Sequence, residues 1–170
     1  MEPFRIIAPQ PVITHSTARA TSFDEIFPRL IGENTPGAHL IWNGIAIRLN
    51  YNYDAYRNIL NIAQFVAKIT GSDSGSEKIT LMTEMLFVEW QIRWNQTVNI
   101  EAKFMSRKED WNHYANVLNE QRTAEIPKES FIREWQKWLK ALNQVVQSVN
   151  LTGFEEEQIV LDSALQKSTV

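Results

Sequence analysis

Ala38-His39-Leu40-Ile41-Trp42-Asn43-Gly44-Ile45-Ala46-Ile47-Arg48-Leu49 is the stretch from which the rest of the chain can be read. Two runs rich in β-branched and aromatic residues flank Asn-Gly, the dipeptide suited to a type I′ turn because both turn residues take positive φ. A two-residue loop sets Trp42 opposite Ile45, Leu40 opposite Ile47 and Ala38 opposite Leu49, with all six on one face. The same alternation would carry Tyr51 and Tyr53 onto that face and leave His39, Arg48, Asn50 and Asn52 on the other.

A second hairpin is set by parity. Val88, Trp90, Ile92 and Trp94 alternate with polar residues, and so do Val98, Ile100, Ala102 and Phe104. A two-residue turn would put these sets on opposite faces. A three-residue loop, Asn95-Gln96-Thr97, opposes Trp94 to Val98, Ile92 to Ile100 and Trp90 to Ala102, and pairs Glu89 with Lys103 on the polar face. Residues 77–87 are apolar at both parities, so strand and helix stay open there.

The remaining elements read as helices. Asp54 is expected to cap one that runs to about Thr70, before the break Gly71-Ser72-Asp73-Ser74-Gly75-Ser76. Its polar positions, Arg57, Asn61, Gln64 and Lys68, fill a narrow arc, so the helix is sandwiched between layers or faces another subunit. Ser106-Arg107-Lys108-Glu109 has capping-box spacing ahead of a helix bearing Trp111, Tyr114, Ala115 and Leu118. Pro127 suits the first position of the longest helix, which is expected to end near Asn150 and carries Phe131, Trp135, Trp138, Leu142 and Val149 in its stripe. Thr152-Gly153-Phe154-Glu155 opens a last helix with an acidic first turn. A short helix broken by Pro28 is expected after Ser22-Phe23-Asp24-Glu25, and a turn at Asn34-Thr35-Pro36-Gly37. The fold class is α+β: an antiparallel sheet built from two β-hairpins, a central buried helix, and a C-terminal layer of three helices.

Residues 1–21 stand apart as an extended apolar N-terminal arm ahead of a single α+β domain at 22–170. Pro3, Pro9 and Pro11 favour extended backbone, while Phe4, Ile6, Ile7, Val12 and Ile13 are too apolar for a solvated tail. The bland alternative is a frayed terminus. Read as an arm, those five residues are the candidate partner-binding set, docking on the chain's own domain or on a neighbouring subunit.

Composition narrows the chemistry. The chain has 170 residues, 44% hydrophobic and 22% charged, a globular balance. It has no cysteine, which excludes disulfides, thiolate catalysis and Cys-ligated metals. A net charge of -3 argues against general nucleic-acid binding. No apolar run reaches the ~18 residues of a membrane span and no signal peptide is evident, so a cytoplasmic location is expected.

Candidate sites are sparse. Glu109, Asp110 and His113 share a helical face, but a solvated charged surface explains them better than a metal, which takes three protein ligands in a catalytic site. Glu89 is accounted for by Lys103, whereas Glu84 stays open as a carboxylate in an apolar segment. The loop Gly71–Gly75 lacks the lysine and spacing of a phosphate-binding loop. Asn95-Gln96-Thr97 and Asn150-Leu151-Thr152 match a glycosylation sequon, and Ser168-Thr169-Val170 resembles a PDZ ligand; both matches are cheap. No catalytic or metal residue, cofactor or small molecule is assigned.

The expectation that follows is a non-enzymatic protein–protein interaction or assembly module whose partner is a protein, in the first place another copy of itself. A narrower version, by analogy only, is a structural subunit of a viral or phage particle. The alternative is a small enzyme or small-molecule binder using carboxylates and aromatics in a sheet–helix pocket. Clustering of Glu84, Glu89 or His39 in one hollow would favour it.

Overall fold

The computed structural model describes residues 2–14, 23–148 and 153–166. Two antiparallel sheets form an α+β fold with five helices among those residues. The smaller sheet is β1 (Phe4–Ile7), β2 (Ala38–Trp42) and β3 (Ile45–Leu49), in that order. The larger is β4 (Gly75–Met82), β5 (Leu86–Trp94), β6 (Thr97–Ser106) and β7 (Thr123–Pro127). The helices are α1 (Ile26–Leu30), α2 (Ala55–Thr70), α3 (Asn112–Glu120), α4 (Lys128–Gln147) and α5 (Glu155–Leu165).

Both expected hairpins form, each as part of its own sheet. Asn43 (φ 46°) and Gly44 (φ 86°) make the turn between β2 and β3, and the pairs Trp42–Ile45, Leu40–Ile47 and Ala38–Leu49 face each other. In the larger sheet the register is Trp94–Val98, Ile92–Ile100, Trp90–Ala102 and Glu89–Lys103. The undecided segment is β4 followed by a turn at 83–85; Ile79 and Leu81 point inward while Lys78 and Thr80 point out. Apolar residues at both parities arise because Met82 and Phe87 are cross-strand neighbours on the outward face, half-buried there.

Some expectations need correcting. The alternation after Leu49 stops because residues 51–54 turn: Tyr51 is buried but Tyr53 is exposed. Strand β4 begins at Gly75, inside the expected break. Pro127 ends β7 rather than starting α4, and β7 is too short and polar to have shown a strand pattern. Ser106 and Glu109 form no capping box; a 3-10 turn, Glu109–Trp111, leads into α3. Asp54 stands at the start of α2 but its carboxylate caps nothing in the helix, accepting instead the Asn50 backbone N–H at 2.7 Å. Ser22, Asn150, Leu151, Thr152, Val149 and the C-terminal Ser168-Thr169-Val170 lie outside the described residues.

The core is aromatic. Trp42 of the smaller sheet stacks on Trp90 of the larger one, with centroids 5.5 Å apart and planes at 28°. Phe4 packs against Trp90 at 5.9 Å, Phe131 at 4.9 Å and Trp135 at 5.9 Å, tying β1 to β5 and α4. The indole N–H groups of Trp90, Trp135 and Trp138 have no hydrogen-bond partner, so ring packing holds this centre together. Helix α2 exposes only Arg57, Asn61, Gln64 and Lys68 among its charged and amide side chains, and buries Asn58 with the apolar remainder between α4, α5 and β4.

Unpaired strand backbone is closed by side chains. Glu134 accepts the Ile6 N–H at 2.7 Å on β1, and Tyr114 donates its hydroxyl to the Ala46 carbonyl on β3. Asn58 brackets Met82 of β4, donating to its carbonyl at 2.8 Å and accepting its N–H at 2.9 Å. Asn119 does the same to Phe104 of β6, at 2.8 and 3.0 Å, where β7 has already ended. Each amide side chain thus stands in for a missing strand. Asn58→Ala and Asn119→Ala, which orphan a backbone donor and acceptor, should each destabilise the fold by about 1–3 kcal/mol in denaturant unfolding. Mutants as stable as the parent would contradict the bracket.

Candidate functional site

The five arm residues divide. Phe4 and Ile6 are buried in the chain's own core, Ile13 is half-buried and bridged to Ile31, and Ile7 and Val12 stay 45% and 53% exposed. The physical reason is pairing: β1 lies antiparallel to β2 in the register Phe4–Trp42 to Ile7–His39, so alternate residues must face the core. Backbone groups further along are also satisfied inside the chain, with Thr14 N–H bonded to Leu30 O (2.7 Å) and Tyr51 Oη to Pro9 O (2.7 Å). Burial raises the Tyr51 phenol above its ordinary pKa.

What β1 leaves to solvent is the outward face of the smaller sheet. Register places Arg5, Ile7, His39, Ile41, Ala46 and Arg48 on it. Arg5, Ile7, Ala46 and Arg48 are exposed and the other two half-buried. No carboxylate occupies an outward position of these strands, and none of the described salt bridges uses Arg5, His39 or Arg48. The outward face of the larger sheet is different: its Lys78–Glu89 pair at 3.1 Å and the Arg122–Glu101 pair at 3.6 Å balance the charge.

The carboxylates and histidines considered as chemical groups lie on separate surfaces. Glu89 sits in a hollow of about 370 Å³ on the larger sheet with Glu101, Lys103 and Arg122. His39 is on the smaller sheet, and His113 is exposed on α3 beside Glu109 and Asp110. Among the described residues no group of His, Asp and Glu could hold a metal ion. His15 lies outside the described residues. Glu84 lines a cleft of about 270 Å³ with Tyr53, Arg57, Arg107 and Lys108. No described helix is long and apolar enough to cross a membrane.

Near this cleft lies Asp54, whose position ahead of α2 marks it in the sequence only as a helix cap. Asp54 is 1% exposed, and its Oδ1 lacks a partner within hydrogen-bonding geometry. Burial pushes its carboxyl up to about 6; the backbone N–H groups of Asn50 and Glu84 pull the other way, while the Glu84 charge adds to the rise and Arg57 opposes it. The elements that meet here, the 50–54 turn, the start of α2 and the 83–85 turn, are distant in sequence, so no local pattern could have assembled them.

Comparison with protein-family models, with curated proteins and with solved structures gives no match to this chain.

Asp54 has a pH signature. Its folded pKa is above the ordinary value of 3.8, so the folded state holds the proton more tightly than the unfolded one. The benefit is complete below pH ~4 and is lost as the pH rises through about 6, a change of ~2–3 kcal/mol. Asp54→Asn keeps an oxygen for the Asn50 N–H and cannot ionise. Its unfolding free energy should be flatter than the parent's across that window; parallel pH profiles would show that Asp54 is not buried as described.

Proposed function

We propose that this chain is a protein–protein interaction module that assembles with copies of itself, the outward face of β1–β3 meeting the outer stripe of α5 on the next copy. The observation that carries the reading is the one-signed charge of that sheet face, with Arg5 and Arg48 outward and no carboxylate. The chain as a whole carries a net charge of -3, so this face runs against the sign of the total.

The complement lies on α5. Glu155, Glu156 and Asp162 are exposed there around Ile159, which is 64% accessible. Helical spacing of three and four residues puts them on one side. Two N–H groups, its own and that of Gly153, hold the Glu155 carboxyl below its ordinary pKa. Each surface has an exposed isoleucine within its charges, Ile7 on the sheet and Ile159 on the helix. Burying both contributes ~1.5–3 kcal/mol per side chain, while the charges steer the approach and fix which patches meet.

Two different patches make a heterologous contact, which closes into a ring or continues as a filament. This is the geometry that a structural subunit of a larger particle uses.

Size-exclusion chromatography with light scattering tests the reading. The full chain should exceed monomer mass at high micromolar concentration in low salt and shrink as salt screens the charges. Arg5→Glu with Arg48→Glu should abolish association, and mixing that variant with Glu155→Lys, Glu156→Lys should restore a complex. A monomer under every condition, or assembly indifferent to these reversals, would overturn it.

A further inference from the structure

We propose that the cleft between the 50–54 turn, the 83–85 turn and the end of β6 is a binding site for a small aromatic molecule carrying an oxyanion, either a phosphate or a carboxylate. This site is separate from the sheet face and the α5 stripe, and it stands or falls independently of them.

The charge at the cleft is the first support. Arg57, Arg107 and Lys108 line it against a single carboxylate, Glu84. None of these four takes part in a salt bridge among the described residues. Three cations line the cleft against Glu84, with Asp54 buried behind it as a second carboxyl that Arg57 also faces, so the lining keeps a positive excess and no ion pair where a ligand would sit. Arginine suits that role because its planar fork matches the oxygens of a carboxylate or phosphate.

The second support is that the two guanidinium groups are already held. Arg107 donates from Nη1 to the Thr83 carbonyl at 3.1 Å, and its backbone N–H bonds Met85 O at 3.1 Å. Thr83 is itself fixed: it is 1% exposed, and its hydroxyl oxygen accepts the N–H of Leu86 at 2.9 Å. Arg57 donates from Nε to Tyr56 Oη at 2.7 Å and lies 5.2 Å from the centre of that ring. Each anchor uses one edge of the guanidinium and leaves other N–H groups for a ligand. Because these side chains are ordered beforehand, little further entropy is lost when they grip an anion.

Size and apolar content define the rest of the ligand. A cleft of about 270 Å³ is just below the usual range for drug-sized molecules, so it admits one ring with one anionic group and not a dinucleotide. Tyr53 lines it and is 57% exposed, an aromatic side chain left largely uncovered at the opening. That ring offers a flat surface against which a ligand ring can stack.

Titration followed by backbone NMR, with phenyl phosphate, benzoate and inorganic phosphate as probes, tests the proposal and separates the two oxyanions. Phenyl phosphate or benzoate should bind with a Kd of about 1 mM or tighter, shifting the amides of residues 53–57, 83–85 and 106–108. Inorganic phosphate should bind more weakly than phenyl phosphate, and Tyr53→Ala should remove that difference. Arg57→Gln and Arg107→Gln should each weaken binding roughly tenfold or more. The Lys108 side chain makes no described hydrogen bond, only its backbone meeting the Ser106 hydroxyl, so weaker binding by Lys108→Gln would be read on an intact fold. No binding by any probe, shifts located elsewhere, or affinities unchanged in all three cation variants would overturn the assignment.

Discussion

Phe4 is held between Trp90, Phe131 and Trp135, and through it the first strand joins both the larger sheet and the longest helix. Four residues of extended chain could not stay ordered on their own backbone pairing, since a short edge strand gains little for the entropy it loses. The aromatic contact and the buried bond from Ile6 N–H to Glu134 offset that loss. Glu134 is met in turn by Lys137, whose Nζ lies 2.5 Å from Oε1. With β1 in place, Trp42 stays packed on Trp90 and the smaller sheet has a fixed orientation relative to the larger. The hairpin tip completes the link, as Trp42 Nε1 and Asn43 Nδ2 both donate to the Gln121 carbonyl, at 2.7 and 2.9 Å.

The way the strands are closed bears on what the protein can do. Glu134, Tyr114, Asn58 and Asn119 occupy backbone groups on β1, β3, β4 and β6 that would otherwise invite another strand. Recognition by strand addition is therefore disfavoured at those positions, and the sheets offer faces instead. On the larger sheet the face is balanced in charge. On the smaller one it is cationic with an exposed isoleucine, and it exists only because the same strand that buries Phe4 and Ile6 turns Arg5 and Ile7 outward.

Much of the architecture was legible because it follows from short-range geometry. Asn43-Gly44 fixes a turn, and the parity of Trp94 and Val98 fixes a loop length and with it nine cross-strand pairs. The exposed arc of α2 is the one that its polar residues mark. Where reading stopped, the cause was tertiary. Phe4-Arg5-Ile6-Ile7 is too short to announce a strand, and only Trp90, Phe131 and Trp135 make it one. β4 looked ambiguous because Met82 and Phe87 lie on an outward row that happens to be apolar. Thr123–Pro127 alternates over so few residues that pairing with β6 decides it. The same limit holds for the sites: Ile7 and Val12 could be named as apolar arm residues, but which of the five face solvent depends on register. The cleft joins residues 53–57, 83–85 and 107–108, and nothing local links them.

The central claim is that the N-terminal strand is an integral part of the core, so that the outward face it completes is preformed. Native-state hydrogen exchange at the Ile6 amide tests this most directly, because that proton is held by Glu134 beside the aromatic cluster. The account predicts that it exchanges only through global unfolding, with the same opening free energy as the amides of β5 and β6. Exchange through local fraying, orders of magnitude faster while β5 and β6 remain protected, would contradict it.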